Sequence, residues 1–416
     1  MKEQAMSEKA AHKAPLRANR QLMLLYSTQS VGMVARGIYF VSLPLFVLER
    51  TGSALSMSIS LFLGFAPFTI AGPFAGSIVD RFSRRDLLVI TNLLYGTTLF
   101  VLPFLHAPYL IYIVAFTASL FGVIVVNSIS ALLPELVEIT QLAKANSLYT
   151  FMRSTTYLLS MFTTYFLIGA LGKANIFFLC SALLVVCGAG CLALKRDRAG
   201  RTGGVAGKEG AQRETGGFRE TLRIIRSDPH VRGLTLMHLM FMPIFGAFEV
   251  FLPIFCEDRL GQVNYYTLVS AGLGAGLALG SLLTYRLLGY YRPLNLVFFS
   301  FLGYSAGVFV LTRSSLLVLA MLICFIMGIV DAFGFTTYEY LRQRVVPSAY
   351  RGRVFAVMDA VVLLPLPLGY LFVGYFAERA SIVTIGVWLS IVGLCLALLS
   401  FPLTRGLPEL AEQNVR

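Results

Sequence analysis

The chain has 416 residues, of which 57% are hydrophobic and only 13% charged, and its mean hydropathy is +0.75. Soluble proteins are roughly a quarter charged, so this composition excludes a set of soluble domains, a disordered chain and, despite a formal net charge of +13, a nucleic-acid-binding domain. The natural solvent for such a chain is lipid.

A helix needs roughly 20 apolar residues to cross a hydrocarbon core about 30 Å thick. Twelve stretches qualify, near 21–48, 54–78, 87–105, 109–133, 145–171, 174–194, 231–256, 265–288, 294–311, 315–338, 354–377 and 381–403. They are continuous rather than alternating, which predicts spanning helices and not barrel strands. The polar arm before them is not a cleavable signal. With the N-terminus inside, five basic residues fall outside (Arg50, Lys173, Arg259, Arg313, Arg379), two deep within spans (Arg36, Arg153), and all the rest of the 34 inside or at the inner ends of spans. Positive charge marks the cytoplasmic side, so both termini are expected there. The organisation predicted is an arm (1–20), a six-helix bundle (21–194), a linker (195–230), a second six-helix bundle (231–404) and a tail (405–416).

Charged and polar groups stand out against the apolar background in chain order. Span one carries Gln29, Arg36 and Tyr39, span four Asn127, and span five Arg153. Span seven carries Met242, Phe245 and Glu249, with His238 near its inner end and expected to be solvated; span ten carries Asp331 and Thr337, and span eleven Asp359. A charge at the bilayer centre costs about 2.5–3.5 kcal/mol or more, so such groups pair or face a water-filled path. Asp331 and Glu249 are candidates to carry a proton or other coupling ion. Arg36 is either their counter-ion, a clamp for an anionic substrate, or a structural partner of one carboxylate. Gln29, Tyr39, Asn127, Met242, Phe245 and Thr337 are candidates to line the substrate cavity. In span eight, Gly272, Gly276 and Gly280 recur every four residues, which predicts one face for close helix packing and not a dinucleotide loop.

The two halves echo each other. Leu43-Pro-Leu-Phe-Val-Leu-Glu-Arg-Thr-Gly52 ends span one and Leu252-Pro-Ile-Phe-Cys-Glu-Asp-Arg-Leu-Gly261 ends span seven. A second echo relates Ser147–Arg153 to Arg353–Asp359. Equivalent elements lie six spans apart, so the repeats are parallel, with a site expected between them near the midplane. The six cysteines include no CxxC or Cys/His cluster, which predicts no metal site and no cofactor. No nucleotide-binding motif or catalytic set appears, so the chain is not expected to be an enzyme.

Between spans two and three the chain reads Gly76-Ser-Ile-Val-Asp80-Arg81-Phe-Ser-Arg84-Arg85. This resembles the signature G-x-x-x-D-R-x-G-R-R of the major facilitator superfamily, with Ser83 where glycine is usual. The resemblance implies a fold of twelve helices in two parallel-repeat six-helix bundles. It also implies that Gly76, Asp80, Arg81, Arg84 and Arg85 form a cytoplasmic gate, and that Arg153, Asp359, Arg351 and Arg353 are gating or structural charges. Gly72-Pro-Phe-Ala-Gly76, Leu133-Pro-Glu-Leu-Val137, and Arg342-Gln-Arg-Val-Val-Pro347 with Arg351-Gly-Arg-Val354 are similar to the bacterial branch of macrolide-efflux and enterobactin exporters. Span five lacks the G-P-x-x-G-G-like run of drug antiporters, and Arg36 lies near the place where that branch often has an acid. The function implied is proton-coupled export of small amphipathic molecules by alternating access, in a bacterial cytoplasmic membrane and as a monomer. The alternatives are import or exchange of an organic anion at Arg36, and a membrane sensor or scaffold.

Overall fold

The computed structural model describes residues 19–70, 78–79, 81–196, 223, 225–288, 290–346 and 351–405, and these are helical apart from short connections. Most of the predicted arm, linker and tail, together with Gly76 and Asp80, lie outside the described residues. The helices are α1 (Arg20–Thr51), α2 (Ala54–Ile70), α3 (Arg84–Val101), α4 (Pro108–Leu136), α5 (Ile139–Leu171), α6 (Ile176–Cys191), α7 (Pro229–Leu260), α8 (Tyr265–Leu287), α9 (Pro293–Thr312), α10 (Leu317–Val345), α11 (Arg351–Leu363), α12 (Leu366–Ala377) and α13 (Ile382–Arg405).

Ten stretches among the described residues are long and apolar enough to cross a membrane. The helices α2 and α6 have 17 and 16 residues; the apolar run of α2 continues in sequence past its described end. The eleventh span is two helices rather than one. Pro365 caps α12 at its start, and a proline removes the donor that would continue the ladder of α11. The chain therefore has the twelve-span, two-bundle architecture, with the eleventh span broken near its middle.

Local chemistry sets the helix ends. Asn19 caps α1 by accepting from the Leu22 N–H at 3.1 Å, and Asp228 caps α7 by accepting from the His230 and Val231 N–H groups. Both helices end on a left-handed glycine, Gly52 at φ 62° and Gly261 at φ 81°, the conformation that glycine adopts without a Cβ penalty. The sequence echo is therefore a structural one. Ser83, the departure from the family signature, caps α3 through the Asp86 N–H, so the substitution has a local purpose.

Close approaches fix the packing. A Cβ on Gly272 would stand 2.9 Å from the Met321 carbonyl and one on Gly280 2.5 Å from that of Ile329, while one on Gly276 would overlap the Phe325 carbonyl. The stripe predicted from four-residue spacing therefore packs α8 on α10. In the same way Gly246 of α7 faces the Leu366 carbonyl and Gly369 of α12 faces the Pro243 carbonyl, pressing the broken span against α7. Phe241, Phe248, Phe251 and Phe255 of α7 are buried within the large apolar core.

The start of α1 and the other helix ends rich in Arg and Lys define a basic end of the bundle; the turns after α1 and α12 define the far end. The two halves meet chiefly through α2 with α12, and α5 with α8. At the far end Glu378, just past α12, accepts from the Ser53 hydroxyl at 2.5 Å and from the Leu55 N–H at 3.4 Å. A carboxylate of the second half thus caps the first turn of α2 in the first half. Capping bonds contribute about 1 kcal/mol, so Glu378→Ala is expected to shift the balance between closed and open far ends about fivefold toward open. Spin labels on cysteines at Leu171 and Glu257, with Cys395 replaced by serine, report this directly. An unchanged distance distribution would remove Glu378 from the closure.

Candidate transport site

The fold brings the two ion-carrying candidates, Glu249 and Asp331, together. Both line one cavity of about 360 Å³ with Phe248 and Leu252 of α7, Tyr266, Ser270 and Ser281 of α8, Phe335 of α10, and Leu158 and Met161 of α5. That volume lies at the lower end of the range for small-molecule sites, roughly 300–1,000 Å³. Among the described residues no Lys, Arg or His lines it. Residues of both halves contribute, as a midplane site requires, but most of the wall belongs to the second half.

The two carboxylates have different surroundings. Tyr370 of α12 donates its O–H to Glu249 Oε2 at 2.6 Å, so Glu249 is tied to the broken span. Asp331 lies midway along α10, and neither a hydrogen-bond nor an ion-pair partner for it occurs among the described residues. Tyr304 of α9, buried against Phe241, Phe245 and Phe248, is within electrostatic reach of both carboxylates. Tyr370, Tyr304 and Tyr266 carry no signal in the sequence, because a tyrosine within an apolar span is ordinary.

The other cavity candidates are dispersed. Phe245 is half-buried against Phe241 and Tyr304, and Met242 is buried in α7. Thr337 is fully buried, with no partner for its hydroxyl among the described residues. Tyr39 packs edge-on to Tyr95 and Phe177, also with an unpartnered hydroxyl, and Asn127 donates to the Val123 carbonyl. None of these five, nor Gln29 or Arg36, is among the described residues that line the carboxylate cavity. His238, expected to be solvated, is 4% exposed and stacked on Tyr338 at 3.7 Å between centroids; the basic end of α7 is packed on α10 there rather than open to water.

Arg36 makes no ion pair with either cavity carboxylate among the described residues. Its Nη1 donates to Asn92 Oδ1 at 3.2 Å and its Nη2 to Gln29 Oε1 at 3.4 Å. Asn92, a polar residue in the middle of span three, was missed in the sequence although its type could have flagged it.

The charges assigned to gating hold neighbouring helices together at the basic end. Arg84 pairs with Glu135 of α4 at 2.6 Å, and Arg85 donates to the Leu192 carbonyl past α6; both of these contacts lie within the first half. Arg81 and Arg153 are exposed. Asp359 accepts from Arg342 at 2.5 Å, and Arg342 also binds Glu339 at 2.7 Å and lies 4.5 Å from the Phe355 ring centroid. Arg342 thus fastens α10 to α11. Arg351 and Arg353 begin α11; their side chains lie outside what is described.

The family model of the Major Facilitator Superfamily matches residues 25–365. Macrolide efflux protein A of Streptococcus pyogenes is 23% identical over 371 residues, covering 86% of this chain and 89% of that protein. The multidrug efflux pump Tap of Mycolicibacterium fortuitum is 26% identical over 401 residues, covering 92% and 95%. Among solved structures, a bacterial homologue of the human lysosomal transporter Spinster, in an inward-facing and occupied conformation, aligns with a TM-score of 0.76 at 13% identity, covering 94% of this chain and 98% of that one. The nucleoside transporter NupG aligns at 0.72 and 12% identity, covering 93% and 99%. The second likeness concerns the fold alone, as does the first. A chain with this twelve-span architecture and a family match across most of its length belongs to the Major Facilitator Superfamily and is a multi-pass membrane transporter.

Proposed function

We propose that the protein exports small amphipathic molecules from a bacterial cytoplasm by alternating access, driven by protons that enter as substrate leaves. The observation that carries this reading is the cavity in which two membrane-embedded carboxylates, Glu249 and Asp331, share apolar walls with no cation among the described lining residues. A carboxyl in such surroundings can be neutral when protonated and charged when exposed to water, which is what a proton carrier must do. Apolar and aromatic walls suit varied amphipathic ligands. The efflux activities named for the relatives at 23% and 26% identity agree with export.

In this reading the basic end is cytoplasmic, and the contacts between α2 and α12 near the far end close the outer side. The loop around Asp80 and Arg84 would close the inner side when the halves rock. One chain holds both halves, so a monomer suffices.

The test uses inside-out vesicles containing the protein, a panel of lipophilic fluorescent dyes and an imposed proton gradient. Gradient-dependent accumulation of at least one dye, collapsed by an uncoupler and absent from vesicles without the protein, is expected. Uptake indifferent to the gradient for every dye would overturn proton-coupled export.

A further inference from the structure

Arg36 is a permanent positive charge about 24 Å along α1 from its start at Arg20, inside the span. Its environment is built from neutral groups. Gln29 and Asn92 each present a side-chain oxygen to the guanidinium because their amide N–H groups are used elsewhere, Gln29 Nε2 donating to Cys191 Sγ at 3.4 Å and Asn92 Nδ2 to the Leu88 carbonyl at 2.7 Å. Gly32 makes room for the guanidinium itself: a Cβ there would stand 2.9 Å from Arg36 Nη1 and 2.8 Å from Cys187 Sγ. Tyr149 of α5 is within electrostatic reach, and the side chain keeps partial access to solvent.

A guanidinium has five donors, and the two amide oxygens are long contacts that take only two of them and none of the charge. Among the described residues no carboxylate lies within ion-pair distance of it. Holding a cation in the membrane under those conditions is expensive unless an anion arrives to neutralise it. Orienting its neighbours so that only their oxygens face it keeps the guanidinium in place without cancelling its charge.

We infer that Arg36, fixed by Gln29 and Asn92, is an anion subsite in the first half of the transporter, and that the preferred substrates are zwitterions, with an anionic group for Arg36 and a basic nitrogen for the Glu249–Asp331 cavity. The part of this that concerns the basic nitrogen rests on the function proposed above; the anion subsite stands on Arg36 alone. Two charged poles of opposite sign, one in each half, would let a single bound molecule hold both halves in register.

Norfloxacin carries a carboxylate and a piperazine nitrogen and is itself fluorescent; its methyl ester lacks the negative charge and its N-acetyl derivative the positive one. Anisotropy with the purified full-length protein is expected to give about tenfold tighter binding of norfloxacin than of the ester, the size of one charge-assisted hydrogen-bonded pair. Arg36→Gln should erase that difference while leaving the ester unchanged, and Arg36→Lys should restore part of it. Gel filtration and thermal melting establish that each variant is folded. Equal binding of norfloxacin and ester by the wild type, uniform weakening of all three compounds by Arg36→Gln, or binding of none of them would overturn the inference. The double variant Asp331→Asn, Glu249→Gln separates the two readings. If it binds N-acetyl-norfloxacin and norfloxacin as the wild type does, the carboxylate cavity is not the cation site, while discrimination by Arg36 still upholds the anion subsite.

Discussion

The variant Asp331→Asn is expected to lose gradient-driven uptake into inside-out vesicles down to background, while gradient-independent exchange of a substrate without a basic nitrogen persists. Asparagine has nearly the shape of aspartate but cannot take up and release a proton, so it removes coupling and leaves packing. Asp331 is the more exposed of the two carboxylates to this change because it lacks a hydrogen-bond partner among the described residues, whereas Glu249 accepts the Tyr370 O–H at 2.6 Å. A glutamine at 249 can still accept that bond, so Glu249→Gln is expected to weaken transport only in part. Tyr370→Phe should bring Glu249 closer to the behaviour of Asp331, since it leaves the carboxylate without its fixed donor. Measuring driven uptake and exchange on the same vesicles distinguishes coupling from binding. Full gradient dependence in Asp331→Asn would transfer the coupling role to Glu249; loss of that exchange as well would make Asp331 a contact for the uncharged substrate rather than a coupling group.

Much of this architecture is legible in the sequence because it depends on short-range rules. Hydrophobic length marks the spans, the constant offset between Gly52 and Gly261 marks the repeat, and the spacing of Gly272, Gly276 and Gly280 marks a packing face. Asp331 and Glu249 are conspicuous because a carboxylate in lipid needs a reason. What cannot be read is the partner of each group, since that depends on the rotation of one helix against another. The sequence leaves Arg36 between a carboxylate and a substrate; rotation of α1 against α3 places it on Asn92 instead. The same limit hides Tyr370 beneath Glu249, Glu378 on the first turn of α2, and the stacking of His238 on Tyr338. The break in the eleventh span follows from Pro365 at the start of α12, a local signal that the continuous hydrophobicity of 354–377 masks.

The glycine stripe gives the second large effect, on stability rather than transport. At Gly276 even a Cβ would overlap the Phe325 carbonyl and stand 3.0 Å from the Ile329 amide nitrogen. These are backbone atoms of α10, which cannot rotate away as a side chain can, so the helices must separate. In a membrane that separation is severe, because helix association rests on close van der Waals contact rather than on hydrophobic exclusion from water. Gly276→Leu is therefore expected to cost about 3 kcal/mol or more, seen as loss of the monodisperse gel-filtration peak or a sharply lowered thermal midpoint. The displacement would also move Asp331, which lies on α10 beyond the contact with Gly280. Gly169→Leu in α5 is the matched control, since nothing lies within 4 Å of a Cβ built there, and it should leave both measurements unchanged. Equal loss in the two variants would mean that leucine disturbs insertion of either helix into the membrane; loss confined to Gly276→Leu ties stability to the α8–α10 contact, and through it to the position of the cavity wall.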